Sequence, residues 1–239
     1  MSNVRIGHAY GDEHGKGHGG AAGDQTGKEV RIEKWYKRTG GWQYYLEPVD
    51  MALANRAADW MERICESPKF GYDRDDRWTG YDAIKAKGFY DAKKSEFDCS
   101  SLVLSCYRFA GLLKLREKWG TTSTMRKQFK ELGFIVHDEP KYLESSDYLR
   151  RGGILLTEGK HTCMVLDNGS KYYPKQPVGK LKILKDLNIR KAPVTGEVIG
   201  VMKAGDIVYY YGKDEASGWY ELYNGFCSGK EIYTKEQKL

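Results

Sequence analysis

A cysteine at the start of a predicted helix is the residue of this sequence best placed for chemistry. The segment 97–103 puts Asp98 where it can cap a helix and Cys99 in the first turn. The positive end of a helix dipole stabilises a sulfur anion at that position. A small buried apolar residue is the alternative, because most free cysteines are structural. Cys99 is therefore a candidate nucleophile that needs a base.

The best candidate base is His161. It opens a short apolar run that ends at Asn168-Gly169, a pair typical of hairpin turns. A cysteine on a helix followed in the chain by a histidine on a strand is the arrangement of papain-like enzymes, in which the imidazole takes the thiol proton. His137 is the rival base, but it precedes Asp-Glu-Pro in a predicted polar loop.

Two groups of residues carry a resemblance to a known family. The motif Asp98-Cys99-Ser100-Ser101-Leu102-Val103 resembles the nucleophile motif of NlpC-type cysteine peptidases, a papain-like group that includes the CHAP amidohydrolases. Residues 149–156 followed by His161 resemble the turn, strand and base-bearing strand of that group. Segments 6–9, 22–30 and 71–73 are similar to those of cell-wall lysins from phages and prophages of Gram-positive hosts. The resemblance covers roughly residues 1–175.

The resemblance implies a peptidoglycan hydrolase that cleaves an amide bond with Cys99 and His161. It further implies that Tyr72, Asp98 and Ser100 hold the free amine of a stem peptide. This favours an endopeptidase that cuts between D-glutamate and the diamino acid. An N-acetylmuramoyl-L-alanine amidase, a non-catalytic wall-binding phage structural protein and an acyltransferase are the alternatives.

The third catalytic residue is open. Family members usually carry an acceptor on the strand after the base, where this sequence has Tyr173. If Asn168-Gly169 forms a two-residue turn, strand pairing places Gln176 opposite His161 and makes it the expected orienting residue. A backbone carbonyl or an upstream side chain such as Gln25 could serve instead, whereas Asp167 lies too far along the strand.

The pattern of elements predicts an α+β catalytic domain over residues 1–173, in which helices precede an antiparallel sheet. Residues 1–27 are rich in glycine and are expected to form a flexible arm. A linker is expected at 174–180. Residues 181–239 resemble a bacterial SH3 domain, a small all-β barrel that binds cell walls. Its aromatic residues could line a groove or fill the core: Tyr209, Tyr211, Trp219 and Tyr223.

The composition of the chain limits which classes of partner are expected. The 239 residues carry a net charge of +6 from 39 basic and 33 acidic side chains, which allows an anionic partner such as a phosphate-rich wall. The basic residues are scattered and no nucleic-acid motif is present, so nucleic acid is not expected. The arm that contains His8, His14 and His18 is expected to be too flexible to hold metal ligands in a fixed geometry, and no cofactor is expected.

The sequence also sets expectations for location and oxidation state. Five cysteines without paired spacing predict reduced thiols rather than disulfides. The first residues lack the apolar core of a secretory signal, and no apolar run is long enough to span a membrane. We therefore expect synthesis in the cytoplasm and action on the wall after release or holin-type export. Nothing in the sequence fixes the oligomeric state.

Overall fold

A computed structural model describes residues 3–172, 177–223 and 225–237. The chain divides into two compact units, one within residues 1–172 and one within residues 173–239. Among the described residues, no helix is both long and apolar enough to cross a lipid bilayer.

The N-terminal unit is an α+β domain. Its elements in chain order are β1 (Arg5–Ala9), β2 (Val30–Lys34), β3 (Tyr44–Glu47), α1 (Met51–Cys65), β4 (Phe70–Tyr72), α2 (Thr79–Lys87), β5 (Ser95–Phe97), α3 (Cys99–Phe109), α4 (Thr122–Glu131), β6 (Ile135–His137), α5 (Pro140–Leu143), β7 (Ile154–Thr157) and β8 (His161–Val165). Six strands form an antiparallel sheet in the order β2-β1-β8-β7-β3-β6. Strands β4 and β5 pair in parallel.

Alternation along the strands gives the sheet two buried faces. Met164 of β8 packs with Met61 of α1 and Leu102 of α3 in the larger core. Its neighbours Cys163 and Val165 point the opposite way, into a smaller core that includes Trp42 and Tyr45. Helices α1 and α3 therefore cover one face, and aromatic side chains cover the other.

The expectation of a flexible N-terminal arm is corrected by β1. Residues 5–9 pair with β2 on one side and with β8, which is distant in sequence, on the other, so β1 is an interior strand of the sheet. Gly7 faces α1, and a β-carbon there would lie 2.4 Å from Met61 Cγ. The following glycines belong to a loop whose amides at Gly19 and Gly20 donate to Asp73 Oδ2. Tertiary pairing thus orders a stretch whose composition suggested pliability.

The expected hairpin after β8 is also corrected. The backbone N–H of Arg151 donates to Asn168 Oδ1 at 2.8 Å, and the amide of Gly169 donates to the carbonyl of Leu149 at 2.8 Å. These contacts hold Asn168 and Gly169 against an earlier loop rather than in a two-residue turn, and no strand follows within the described residues up to 172. The pairing argument that selected Gln176 loses its basis; Tyr173 and Gln176 themselves lie outside the described residues.

The C-terminal unit is an antiparallel sheet of seven strands. They are β9 (Gly179–Ile183), β10 (Leu187–Arg190), β11 (Val198–Met202), β12 (Ile207–Asp214), β13 (Trp219–Leu222), β14 (Gly225–Cys227) and β15 (Thr234–Gln237). Their order is β11-β10-β14-β13-β12-β9-β15, and among the described residues the two outer strands do not close the expected barrel. Strand β9 begins at Gly179, inside the segment expected to be linker.

Candidate functional site

Cys99 lies at the first position of α3, as the sequence predicts. The Asp98 carboxylate accepts from the Ser101 amide at 2.6 Å, and the Ser101 hydroxyl accepts from the Asp98 amide at 2.9 Å. This reciprocal pair is a capping box that fixes where the helix begins. The side chain of Cys99 is enclosed, with the residue only 7% exposed.

The structure corrects the expectation that the helix start makes Cys99 a resting thiolate. Burial raises the pKa of Cys99 to about 12, and the neighbouring Asp98 carboxylate acts in the same direction. The backbone amides of Thr162 and Ser100, together with the Arg77 cation, lower that pKa without offsetting the rise. At neutral pH the sulfur is therefore a protonated thiol, because loss of solvent outweighs the dipole.

His161 belongs to a row of three polar side chains in close contact that runs across three strands. Its Nε2 lies 2.9 Å from Nδ1 of His8 on β1, and Nε2 of His8 lies 2.8 Å from Oε1 of Glu33 on β2. Strands β8, β1 and β2 are neighbours in the sheet, which brings the three side chains together. Both histidines are almost fully buried, at 3% and 0% exposure. Trp42 stacks on the His161 ring at a centroid distance of 6.0 Å.

The pKa values of these three groups indicate where their protons lie. The contact with His8 holds the pKa of Glu33 down to about 2, so Glu33 is an ionised acceptor. Burial lowers the pKa of His8 and, with the Arg38 cation acting in the same direction, lowers that of His161 to about 3, so both rings are neutral. We assign the proton of His8 to Nε2, because that atom faces the Glu33 carboxylate at 2.8 Å. His8 Nδ1 accepts from His161 Nε2, which leaves the lone pair of His161 on Nδ1.

The Cys99 sulfur meets β8 at its backbone, whereas the His161 ring lies on the face of β8 that carries Cys163 and packs against Trp42. The Thr162 amide acts on the Cys99 sulfur, so the thiol adjoins the residue that follows His161. In the described part of the chain the sulfur makes no hydrogen bond to an imidazole, and His161 Nδ1 has no hydrogen-bond partner. Catalytic hydrogen bonds are often long in unliganded enzymes and tighten with substrate. Catalysis by this pair therefore requires the thiol and the imidazole to come into contact when substrate binds.

The three residues expected to bind substrate lie around Cys99. The Ser100 hydroxyl donates to Asp98 Oδ1 at 3.0 Å. Burial raises the pKa of the Tyr72 phenol, with smaller contributions from Cys99 and Asp98 nearby. The structure adds a residue that the sequence did not single out: Arg77 Nη1 lies 3.3 Å from Asp98 Oδ2, and Nη2 lies 3.2 Å from Ser100 Oγ.

The rival base, His137, and the alternative orienting residues make contacts away from His161. His137 is the last residue of β6 rather than part of a polar loop, and its Nε2 contacts Glu47 Oε2 at 2.8 Å. The Gln25 amide donates to backbone carbonyls of its own loop, at Ala21 and Ala22. Asp167 forms an ion pair with Arg5 at 2.9 Å.

One group of side chains has the composition of a metal site. Ligand atoms of His18, Asp73 and Asp75 lie within 4.8 Å of one another. Both oxygens of Asp73 already accept from backbone amides: Oδ2 from Gly19 and Gly20, and Oδ1 from Asp75 and Asp76. His18 and Asp75 are exposed. Backbone hydrogen bonding accounts for the buried carboxylate, so no ion is invoked in the chemistry below.

The sequence contains a pattern from which the proximity of His8 and Glu33 could have been predicted. Residues 30–33 alternate apolar and polar side chains, and residues 5–9 place Ile6 and His8 two positions apart, so that both would lie on one face of a strand. Antiparallel pairing of two such strands places Ile6 opposite Glu33 and His8 opposite Arg31. His8 and Glu33 then share one face. No comparable signal places Arg77 beside Cys99, because that contact depends on how the loop before α2 folds back.

The comparison with known families covers the part of the chain that holds these residues. The family profile of the endolysin-like domain matches residues 6–172, which include Cys99, His161, His8 and Glu33. No curated protein and no solved structure is significantly similar to the chain. Because the match spans most of the sequence and nearly the whole N-terminal unit, the chain belongs to the endolysin-like domain family.

Proposed function

We propose that this protein is a peptidoglycan hydrolase of phage-endolysin type, which cleaves an amide bond of the stem peptide with Cys99 as nucleophile and His161 as base. Its family membership suggests a lysin-type function at the cell wall. Two observations support the chemical part: the row of side chains Glu33, His8 and His161, and the contact of the Cys99 sulfur with the Thr162 amide, the residue next to His161 in the chain.

The reaction follows from the proton assignments. As the Cys99 sulfur attacks the amide carbonyl, its proton passes to Nδ1 of His161, because Nε2 is committed to His8. Proton transfer accompanies attack, since the thiol and the imidazole are both neutral at rest. The imidazolium then protonates the leaving amine as the C–N bond breaks and a thioester forms. Water, deprotonated by the neutral His161, attacks the thioester, and its proton returns to the sulfur.

The start of α3 is suited to stabilise the oxyanion. Asp98 accepts from the Ser101 amide through its side chain and from the Leu102 amide through its carbonyl. The first amides of the helix, at Cys99 and Ser100, have no backbone acceptor among the described residues. Two such donors at a helix N-terminus are the arrangement that stabilises a tetrahedral intermediate.

The C-terminal unit is proposed to bind the wall as an SH3-type domain. Its core takes Tyr210 and Tyr220, whereas Tyr209 is exposed and the rings of Tyr211 and Tyr223 lie 5.5 Å apart. Partly exposed aromatic rings offer flat surfaces to sugar or peptide groups. With a net charge of +6, the whole chain also favours an anionic wall.

The test of this proposal identifies the bond class. Purified Gram-positive walls should lose turbidity with the full-length protein, and new amino groups should appear without new reducing sugar ends. Release of reducing ends would show a glycosidase instead. Unchanged walls with a folded protein would favour the non-catalytic wall-binding alternative. Mass spectrometry of the fragments separates the endopeptidase, which frees a diamino-acid amine, from the amidase, which releases stems that begin with L-alanine.

A further inference from the structure

Arg77 occupies the position beside Cys99 where a substrate amine is expected to bind. Its Nη1 lies 3.3 Å from Asp98 Oδ2, and its Nη2 donates to Ser100 Oγ at 3.2 Å and to the Gly120 carbonyl at 2.5 Å. The guanidinium also stacks over the Trp78 ring, 5.1 Å from its centroid. These contacts fix a positive charge next to the nucleophile.

The Asp98 carboxylate has little capacity left for a second cation. Oδ1 accepts from the Ser101 amide at 2.6 Å and from the Ser100 hydroxyl at 3.0 Å, and Oδ2 faces Arg77. A substrate ammonium would have to displace Arg77 or bind next to it. Placing two like charges together in a partly desolvated site is unfavourable, so a bound ammonium is selected against.

The guanidinium itself still has hydrogen-bonding capacity. Arg77 Nε is buried and has no acceptor within the described residues, whereas a guanidinium offers five N–H donors. Burying such a donor without a partner is unfavourable. A carbonyl or carboxylate oxygen of a bound peptide would satisfy the group, and an ammonium would not.

We propose that Arg77 makes this subsite select stem peptides whose terminal amine is acylated, as it is in an intact wall, over stems that carry a free amine. The inference rests on the proposed function of Cys99. It changes the role expected of Tyr72, Asp98 and Ser100: with Arg77 present they form a neutral surface that accepts an amide group. The substrate class is an N-acylated stem peptide that is cut within the stem.

The experiment uses the full-length protein and two synthetic stem peptides that differ only in N-acetylation of the first residue. Cleavage is followed by mass spectrometry, and kcat/KM is determined for each peptide. We expect the acetylated peptide to be preferred by about tenfold or more, the ratio that a modest charge repulsion produces. Equal rates, or preference for the free amine, would overturn the inference.

Three variants assign any preference to Arg77. Arg77→Met removes the charge while keeping a similar length. We expect it to raise kcat/KM for the free-amine peptide relative to that for the acetylated peptide. Arg77→Lys keeps the charge and should retain part of the preference. Arg116→Met is the matched control, because Arg116 also stacks on a tryptophan at 5.1 Å, on Trp119, but makes none of these contacts. It should keep the wild-type ratio.

The outcomes separate this inference from the proposed function. If the wild-type protein releases amino groups from walls but cuts both peptides equally, the role of Arg77 is wrong and the hydrolase proposal stands. If the protein hydrolyses neither walls nor peptides, the proposed function fails and the inference fails with it. An Arg77→Met ratio identical to wild type, in protein whose circular dichroism matches wild type, would also contradict the inference.

Discussion

At the scale of single residues, the neighbour of His161 is a second histidine that reaches it from the N-terminal strand. Hydrogen bonding from His161 Nε2 to His8 Nδ1, together with the Glu33 carboxylate, decides which ring nitrogen is free. A carboxylate that orients an imidazole performs the same task in other catalytic groups. Here the carboxylate acts through an intervening imidazole, so we assign His8 and Glu33 as positioning residues.

Substitution of His8 or Glu33 tests that assignment. We expect His8→Ala and Glu33→Gln to lower kcat on soluble muropeptides by about 100-fold with little change in KM, because the base loses its fixed tautomer. His137→Ala is the matched control, since His137 also contacts a glutamate, Glu47, at 2.8 Å. It should stay near wild-type activity. Loss of activity in the control and not in His8→Ala would reverse the assignment of the base.

The protonated state of Cys99 predicts how the resting enzyme reacts with alkylating agents. Its pKa of about 12 lies above the ordinary thiol value, so the thiolate fraction at pH 7 is small and rises with pH. The rate of iodoacetamide modification at Cys99, followed by peptide mass spectrometry, should therefore increase about tenfold per pH unit between 7 and 9. A fast rate that is flat from pH 5 to 9 would instead indicate a resting thiolate–imidazolium pair.

At the scale of elements, the helices were predictable because their signals are local. Asp98 predicts the start of α3, which is confirmed, and the helical spacing of Leu53, Ala57, Met61 and Ile64 matches the buried face of α1. Strand β1 was missed because it has only five residues and precedes a glycine-rich loop. The hairpin at Asn168-Gly169 was wrong because tertiary contacts override local turn preference: a β-carbon on Gly169 would lie 2.1 Å from the Ser146 carbonyl oxygen.

Packing of β1 on α1 makes Gly7 a test of the strand. A methyl group there would lie 2.4 Å from Met61 Cγ, so Gly7→Ala should destabilise the N-terminal unit by about 1–3 kcal/mol. Gly200→Ala, in β11, is the control, because its nearest contact would be 3.5 Å from Ile189. Denaturant unfolding measures both. Unchanged stability in Gly7→Ala would fit a flexible arm rather than a packed strand.

At the scale of the whole molecule, sequence could indicate two units but not the full form of the second. Short strands separated by turns predicted an all-β region, and seven strands are present. Strand order and closure depend on long-range pairing, such as that of β9 with both β12 and β15, which local patterns do not encode.

Division into two units predicts separable functions. A protein that ends at residue 172 should still cleave small soluble muropeptides, because every residue proposed to act in catalysis lies before that point. It should sediment poorly with intact walls, since the proposed wall-binding unit is absent. Wall binding equal to that of the full chain would remove the targeting role from residues 173–239.

The central claim is that one thiol, Cys99, carries the hydrolysis, and a pair of single substitutions tests it most directly. Amino groups released from purified walls are measured for wild type, Cys99→Ala and Cys163→Ala, where Cys163 is also buried and lies on β8. The account predicts that Cys99→Ala loses all measurable release while still binding walls, and that Cys163→Ala retains activity to the extent that it folds. Release of amino groups at the wild-type level by folded Cys99→Ala protein would contradict the account.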